Sequence, residues 1–257
     1  MSSGLFSIAR SALITHQTAL QTISQNIANA ETPGYSRQEA VLVANTPVRM
    51  PYGNVGTGVH VETIVRKRDL LLDETYRSAE GQASSTELRR DMLGQVESIF
   101  GEPTDAGMTN ALDQFWTSWS DLSSNPSSGS SRTVVQQRGR QVAQLFNDYD
   151  TQLTQQRTSS YSRLENTVSQ INSLASQVAE LNNRIVSAET GGDMANDLRD
   201  PHDLALSSLT KLAGTRVINQ ADGTVSVIIG NSTLVDSTTA RPVSLQLDPP
   251  VPPPILI

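Results

Sequence analysis

The first thirty residues carry large apolar side chains at a strict seven-residue spacing. Phe6, Leu13, Leu20 and Ile27 recur at every seventh position, and Ile23 lies three positions after Leu20. This spacing is typical of a coiled-coil helix, whose apolar ridge is covered by a second helix. Burying the ridge would contribute very roughly 8 to 15 kcal/mol of transfer free energy, which a helix without a partner cannot obtain. Periodicity alone leaves open whether the partner belongs to the same chain or to another polypeptide.

Residues 1–34 are predicted to form one coiled-coil helix and its turn. Polar residues such as Ser11 and Thr15 are expected to cover the rest of the helix surface. The helix is predicted to end before Pro33, because proline cannot continue the helical hydrogen bonds. Residues 35–65 then show an apolar period of two, interrupted by prolines and glycines, which predicts a short β-rich or extended excursion.

Residues 66–214 are predicted to form a helical rod, because helical spacing returns there. Its second helix, over 72–100, is either continuous or a pair hinged near Gly81. A third, shorter helix is predicted to begin with Thr109 as its N-cap. The last helix of the rod is predicted to end at Gly214.

The longest helical pattern covers residues 132–188 and ends at a pair of glycines. An unbroken helix of this length would reach ~85 Å at 1.5 Å per residue, which implies an elongated molecule. Its second apolar stripe, over 164–188, is expected to pack in the core, antiparallel to the helix over 72–100 of the same subunit.

Residues 215–247 are predicted to start a β-rich outer domain. Tight-turn pairs at Asp222-Gly223 and Gly230-Asn231 separate short apolar runs, which is typical of a meander. The predicted strands are 216–219, 224–229, 232–235 and 243–247. Residues 248–257 are proline-rich, and we expect them to be a linker at which the chain is truncated.

These elements together predict a mainly α fold with a smaller β part. The expected architecture is an elongated antiparallel helical bundle or coiled-coil rod, preceded by an N-terminal assembly helix and followed by the start of an outer β-domain.

Composition argues against nucleic-acid and membrane partners. The net charge is -7, whereas either partner would favour a surplus of Lys and Arg. The chain has no cysteine, which excludes disulfides, thiolate metal sites and a cysteine nucleophile. No stretch approaches the ~20 consecutive apolar residues of a bilayer crossing. The start of the chain lacks a basic region followed by an apolar run, so export would need a route other than a cleaved signal.

No catalytic or metal constellation is legible. His16, His60 and His202 lie on three different predicted elements, and neither zinc-ligand spacing nor a nucleophile elbow occurs. The glycines at 53, 56 and 58 do not open a helix, so a nucleotide-binding loop is not expected. We therefore predict no enzymatic activity and no cofactor.

Two charged groups are predicted to have only surface roles. The run Arg66-Lys67-Arg68 is interpreted as a solvated face. Arg199, Asp200 and Asp203 are expected to form surface ion pairs that contribute little individually.

The segment from Ser24 to Gln38, SQNIANAETPGYSRQ, resembles the N-terminal signature of flagellar axial proteins. Its ending, YSRQ, is more similar to the hook-associated protein 1 family than to rod or hook subunits. Residues 56–69 and 196–203 also resemble that family. The signature turn consists of Asn29, Thr32, Pro33, Gly34, Tyr35, Arg37 and Gln38.

The resemblance implies a structural subunit with no catalytic residues. Members are secreted through the flagellar type III apparatus with an export chaperone and form a ring between hook and filament in the extracellular flagellum. The implied partners are hook subunits, hook-associated protein 3 and copies of the same chain. Members also have a C-terminal helix that packs on the N-terminal one, and we expect no such helix within this sequence. Phe6, Leu13, Leu20, Ile23 and Ile27 are accordingly expected to form an assembly interface.

Three alternatives remain at this point. A rod or hook subunit would be expected to lack the long helix over 132–188. A secreted enzyme would need a cleft with convergent titratable groups. A cytoplasmic coiled-coil regulator would not be exported, which a secretion assay in an export-defective strain would test.

Overall fold

The computed structural model describes residues 2–101, 107–192 and 194–246, in which five helices and eight strands form a mainly α fold with a smaller β part, as predicted. The helices are α1 (Ser2–Ala28), α2 (Leu70–Phe100), α3 (Met108–Ser124), α4 (Gly129–Glu189) and α5 (Asn196–Ala213). The strands are β1 (Gln38–Ala44), β2 (Val48–Met50), β3 (Gly53–Val55), β4 (Val59–Arg66), β5 (Arg216–Asn219), β6 (Val225–Ile229), β7 (Ser232–Asp236) and β8 (Thr239–Ala240). The predicted proline-rich end lies outside the described residues.

The chain forms two compact units. The first consists of residues 1–82 and 170–243, and the second is built on residues 83–169. The first unit thus takes the beginning of α2 and the end of α4. The domain boundaries drawn from the sequence stay a prediction.

The strands form three antiparallel sheets within the described residues. Strands β1 and β4 pair from Gln38↔Arg66 to Ala44↔Val59, with an irregularity after Val41. Between them, β2 and β3 form a small hairpin that the sequence did not predict. Prolines at 47 and 51 leave only three residues for β2, too few for the alternation of side chains to be recognisable. Strands β5 to β8 form the predicted meander.

The core of the first unit lies between α4, α5 and the four-stranded sheet. Ile171, Val178, Leu209, Val227 and Val235 are all buried there. The stripe over 164–188 is therefore buried from Ile171 to Ile185, as expected, whereas Leu164 is 41% exposed and the predicted partner is wrong. Strands and α5 cover it, and α2 contributes a single buried residue among those described, Gly81. The heptad spacing could not predict which element covers the stripe, because an apolar stripe can pack against a sheet as well as against a helix.

Helix α2 is continuous, so of the two alternatives left by the sequence the structure has the single helix and not the pair hinged near Gly81. A Cβ atom at this position would lie 3.0 Å from the backbone oxygen of Thr210 in α5. The glycine thus permits close approach of two helices, and it does not bend its own helix. Near it, the ammonium of Lys211 lies 3.6 Å from a carboxylate oxygen of Glu80.

In the second unit, α2 packs antiparallel to α4. The rings of Phe100 and Tyr149 meet edge to face at 5.3 Å, and the Tyr149 hydroxyl donates to the Phe100 carbonyl at 2.9 Å. The side chains of Gln156 and Gln95 are hydrogen-bonded farther along the pair. The long helix is continuous over the predicted range of 132–188 and slightly beyond.

Two predicted local features are wrong. Helix α3 begins at Met108 after Gly107, and no side chain caps it, so Thr109 is not its N-cap. Residues 243–246 form no strand, although they follow the meander. The side chain of Asn172 occupies the hydrogen-bonding groups of Val243: it accepts from the backbone N–H at 2.8 Å and donates to the carbonyl at 2.9 Å. An amide side chain thus takes the place of a neighbouring strand.

Candidate functional site

Helix α1 packs through its polar face and exposes its apolar face. Thr15 and Thr22 are 2% and 7% exposed, and both lie on the packed face. The Thr15 hydroxyl donates to the Val59 carbonyl at 3.1 Å, and the Ser11 hydroxyl accepts from the Val59 N–H at 3.4 Å. The expectation that these polar residues cover the free surface is therefore wrong. We call the paired strands β1 and β4 the β1–β4 hairpin. Short hydroxyl side chains allow α1 to lie close to this hairpin and to form hydrogen bonds with the hairpin backbone.

Asn26 joins the end of α1 to the following strand. Its amide nitrogen donates to the Gln38 carbonyl at 2.8 Å, and its amide oxygen accepts from the Gln38 N–H at 2.8 Å. The Tyr35 hydroxyl also donates to this oxygen at 2.8 Å. Asn26 therefore connects the end of the helix to the paired strands β1 and β4.

Gly58 permits the other close contact of α1 with the hairpin. Its φ of +108° lies in the region that favours glycine. A Cβ atom there would lie 2.2 Å from the Ser11 hydroxyl oxygen. The hairpin backbone and α1 can therefore meet at this point only because residue 58 has no side chain.

The apolar face of α1 points away from this packing, and we call it the outer stripe. Its seven large side chains are between 52% and 76% exposed. The outer stripe consists of Leu5, Phe6, Leu13, Ile14, Leu20, Ile23 and Ile27. It includes all five residues of the predicted assembly interface, together with Ile14, which the heptad pattern did not single out. Such a row is unusual on a protein surface, where large apolar patches generally mark interaction sites.

The signature turn follows α1. The Asn29 amide oxygen accepts from the Thr32 hydroxyl at 3.2 Å, and the Tyr35 N–H donates to the Thr32 carbonyl at 3.1 Å. Gly34 has a φ of +82°, so glycine is required there for the reversed backbone. The other members are Pro33, which is exposed, Gln38, which begins β1, and Arg37, which lies 3.8 Å from Glu39.

Arg66 lies between two aspartates of α5. Its Nη1 is 2.9 Å from Asp200 Oδ1 and 2.7 Å from Asp203 Oδ2. The three side chains are only 12%, 13% and 19% exposed, so both surface interpretations made from the sequence are wrong here. Charge-assisted hydrogen bonds in such a shielded position are stronger than exposed ion pairs.

Arg68 extends this group toward α2. Its Nε is 2.7 Å from Asp73 Oδ2, and its Nη1 is 3.5 Å from Asp203 Oδ2. The hydrogen bond that the Arg68 guanidinium donates to Asp73 raises the pKa of Arg68 above its ordinary value. We call Arg66, Arg68, Asp73, Asp200 and Asp203 the ionic clasp. It connects β4 with the beginnings of α2 and α5.

The signature turn is attached to the same clasp. The Ser36 N–H donates to Asp200 Oδ2 at 3.3 Å, and the Ser36 hydroxyl accepts from Arg68 at 3.1 Å. Burial, and then the negative charge of Asp200, raise the pKa of the Tyr35 hydroxyl. At Gly34, an added Cβ atom would meet Leu204 of α5 at 3.4 Å. Two sequence segments that resembled the family at separate places in the chain thus meet here.

Arg199 pairs with Glu189 on the neighbouring side of α5. Two hydrogen bonds of 2.7 and 2.6 Å join them, and both side chains are largely covered. The hydrogen bonds from Arg199 lower the pKa of Glu189. This pair joins the end of α4 to α5. It is largely buried and is therefore not the surface ion pair that was expected from the sequence.

The three histidines are not brought together. His202 is buried, and its Nε2 lies 3.0 Å from the amide oxygen of Asn182, which is fully buried. Burial lowers the pKa of His202 to about 4. His16 and His60 are exposed on α1 and β4, and the residues described contain no group of three or more side chains arranged to hold a metal ion. Within the same residues, no helix is long and apolar enough to cross a membrane.

Two family models match the chain. The model described as "Flagellar hook-associated protein FlgK helical domain" matches residues 93–254, which is more than half of the chain. The model described as "Flagella basal body rod protein" matches residues 6–35, which cover most of α1 and the signature turn as far as Tyr35.

Curated relatives are similar over most of the chain. Flagellar hook-associated protein 1 of Bacillus subtilis is 35% identical over 237 residues, covering 86% of this chain and 47% of the relative. Flagellar hook-associated protein 1 of Salmonella typhimurium is 31% identical over 243 residues, covering 93% and 44%. The chain therefore spans about half the length of these relatives.

One solved structure supports the same relationship. The flagellar hook junction protein FlgK from Burkholderia pseudomallei superposes with a TM-score of 0.60 at 32% identity. The similarity covers 65% of this chain and 29% of that protein.

Proposed function

The chain belongs to the family of flagellar hook-associated proteins FlgK, and from this premise we propose that it is a non-catalytic structural subunit that joins the flagellar hook to the filament. The match over residues 93–254 favours this function over that of a rod or hook subunit, whose family model matches only residues 6–35.

The observation that carries the proposal is the orientation of α1. A helix that served only its own fold would place Leu13 and Leu20 inside, whereas here they are 72% and 64% exposed. Burying the outer stripe would release apolar surface from water at about 25 cal/mol per Å², so association offers a driving force that the isolated fold leaves unused. The outer stripe is therefore the proposed assembly interface.

The proposed partners follow from the family. They are hook subunits, hook-associated protein 3, copies of this chain in a ring and an export chaperone. Export would proceed through the flagellar type III apparatus, and the subunit would function in the extracellular flagellum. We propose no nucleic-acid partner, no membrane partner and no cofactor for this subunit.

Co-sedimentation with isolated hooks tests the proposal. The purified chain should sediment with hooks, and a Leu13→Ser/Leu20→Ser variant should lose at least tenfold in binding while its thermal unfolding is unchanged. Leu93→Ser is the matched control, because Leu93 is 60% exposed on α2 outside the outer stripe. Equal binding by the stripe variant and the parent would contradict the assigned interface. Failure of the parent to bind hooks would contradict the proposed function.

A further inference from the structure

Polar contacts attach α1 firmly to the β1–β4 hairpin. Hydrogen bonds from Thr15 to Val59 and between Asn26 and Gln38 attach it near the middle and at the end. The direction of α1 in the first unit therefore depends on how this hairpin is attached to the helices behind it. The buried apolar cluster of the described residues lies elsewhere, between α4, α5 and the four-stranded sheet.

Polar groups supply the attachment. Arg66, at the end of β4, bridges Asp200 and Asp203, and the Asn196 amide donates to the Ile64 carbonyl at 2.6 Å. Ser36 adds a backbone hydrogen bond to Asp200. All of these partners on the far side belong to one short length of α5, and Arg68, just after β4, adds a contact to Asp73 of α2.

Arginine suits this position for a geometric reason. A planar guanidinium fixes the directions of its donors, and here one nitrogen lies within 2.9 Å of a carboxylate oxygen from each aspartate. Asp200 and Asp203 are three residues apart, which places them on one face of α5. An apolar contact would resist separation but would tolerate sliding, whereas these hydrogen bonds fix an angle.

We propose that Arg66, held by Asp200 and Asp203, is a positioning residue that sets the direction in which α1 presents the outer stripe. The inference rests on the proposed assembly function, since direction matters only when a partner must meet the stripe. Arg66 is not itself proposed to contact another flagellar subunit. Its effect on assembly is transmitted through β4 and the contacts of α1 with the hairpin.

The absence of cysteine from the sequence makes a distance measurement straightforward. Cysteines at Gln17 on α1 and Asn183 on α4, both exposed in the first unit, would carry two spin labels. Double electron–electron resonance on the full chain then reports the spread of distances between them. The parent should give one narrow distribution.

Three variants separate positioning from simple stability. Arg66→Met removes the bridge, and Arg66→Met/Asp200→Asn/Asp203→Asn removes it without leaving unpaired charges. Both should at least double the width of the distance distribution and reduce hook binding at least tenfold, while circular dichroism retains the helical signal. Arg66→Lys keeps the charge and should lie between them and the parent. Arg241→Met is the matched control, because Arg241 pairs with Asp236 on an exposed surface.

The outcomes separate this inference from the proposed function. A parent-like distance distribution in the triple variant would overturn it, and so would parent-like hook binding despite a broadened distribution. If the triple variant does not fold, the same two readouts on Arg66→Lys decide. If the parent chain does not bind hooks, the proposed function fails and this inference fails with it. If the parent binds hooks and the clasp variants match it in binding and in distance distribution, this inference alone is overturned.

Discussion

Two stretches of this chain repeat large apolar residues every seven positions, and their side chains end in opposite environments. In α1, Leu13, Leu20 and Ile27 are mostly exposed, whereas in α4, Val178 and Ile185 are completely buried. We call Ile171, Val178 and Ile185 the inner stripe. The difference lies in the elements that pack against each helix. In the described residues, α5 and a sheet cover the inner stripe, whereas β1 and β4 contact the opposite, polar face of α1 and leave its apolar face exposed. A heptad pattern thus indicates that a helix needs a partner, and it does not indicate where the partner comes from.

The largest expected effect contrasts one residue from each stripe. Ile185→Ala should lower the free energy of unfolding by about 4 kcal/mol, because it leaves a cavity at a fully buried position. Leu20→Ala should change it by less than about 0.5 kcal/mol, since the side chain is already in water. Urea unfolding of the monomer measures both. A large loss for Leu20→Ala would mean that α1 is covered within the chain, and the contrast between the stripes would disappear.

The second prediction concerns a polar group beside the inner stripe. Asn182 donates to the Val225 carbonyl at 2.9 Å and accepts from the Val225 N–H at 3.2 Å, and His202 lies against the same amide oxygen. Asn182→Ala should cost about 3 kcal/mol, because it strands buried backbone groups without partners. Asn183→Ala, on the exposed side of the same turn of α4, should be close to neutral. Equal effects in urea unfolding would show that the Asn182 network does not hold the sheet to α4.

The third prediction is a pH dependence confined to the same buried region. His202 has a folded pKa of about 4, below its ordinary value of 6.5, because burial disfavours the charged imidazole. Between these values the unfolded chain binds a proton that the folded chain does not, so stability is present above pH 6.5 and is lost as the pH falls toward 4. The loss between pH 7 and pH 5 should be about 2 kcal/mol in urea unfolding.

Two variants identify the histidine responsible. His202→Gln should remove most of the difference between pH 7 and pH 5, since glutamine does not titrate. His16→Gln, on the exposed surface of α1, should leave that difference intact. A pH dependence that survives His202→Gln would assign it to other groups and would exclude His202 as its source.

The smallest expected effect lies at the contact of α1 with the hairpin. Gly58→Ala should cost about 1 to 2 kcal/mol, because residue 58 has a positive φ and its Cβ would press on Ser11. Gly56→Ala is the matched control, since nothing lies within 4 Å of a Cβ there. Hydrogen exchange of the α1 amides should accelerate in the first variant only. Unchanged protection would mean that α1 does not depend on this contact.

Most helices and strands were predictable because their signals are local. The helical spacing of α1 and α4, the end of α1 before Pro33, and the end of α5 at Gly214, where the backbone is left-handed, follow from a few neighbouring residues. The β2–β3 hairpin and the missing strand after residue 242 were not predictable in this way. In both cases the outcome depends on hydrogen bonds that short segments make or fail to make with distant partners.

The candidate site was only half predictable. The sequence identified five of the seven apolar residues of the outer stripe, but it assigned Thr15 to the free surface and Arg66 to a solvated face. A threonine hydroxyl or a guanidinium can form hydrogen bonds either with water or with a buried partner. The residue type therefore does not predict whether the side chain is exposed or buried. The partners of Arg66 lie more than 130 positions away in the chain, so no spacing rule could have connected them.

Local patterns were sufficient to predict which segments are helical, which side chains of α1 are apolar and that a family signature follows them. These properties depend on backbone propensity and on the periodicity of neighbouring residues. The packed face of α1 and the groups that hold β1 and β4 to α5 became visible in the folded chain alone. The physical reason is that burial is a property of the partner as much as of the residue, and the partner is chosen by the folded chain as a whole.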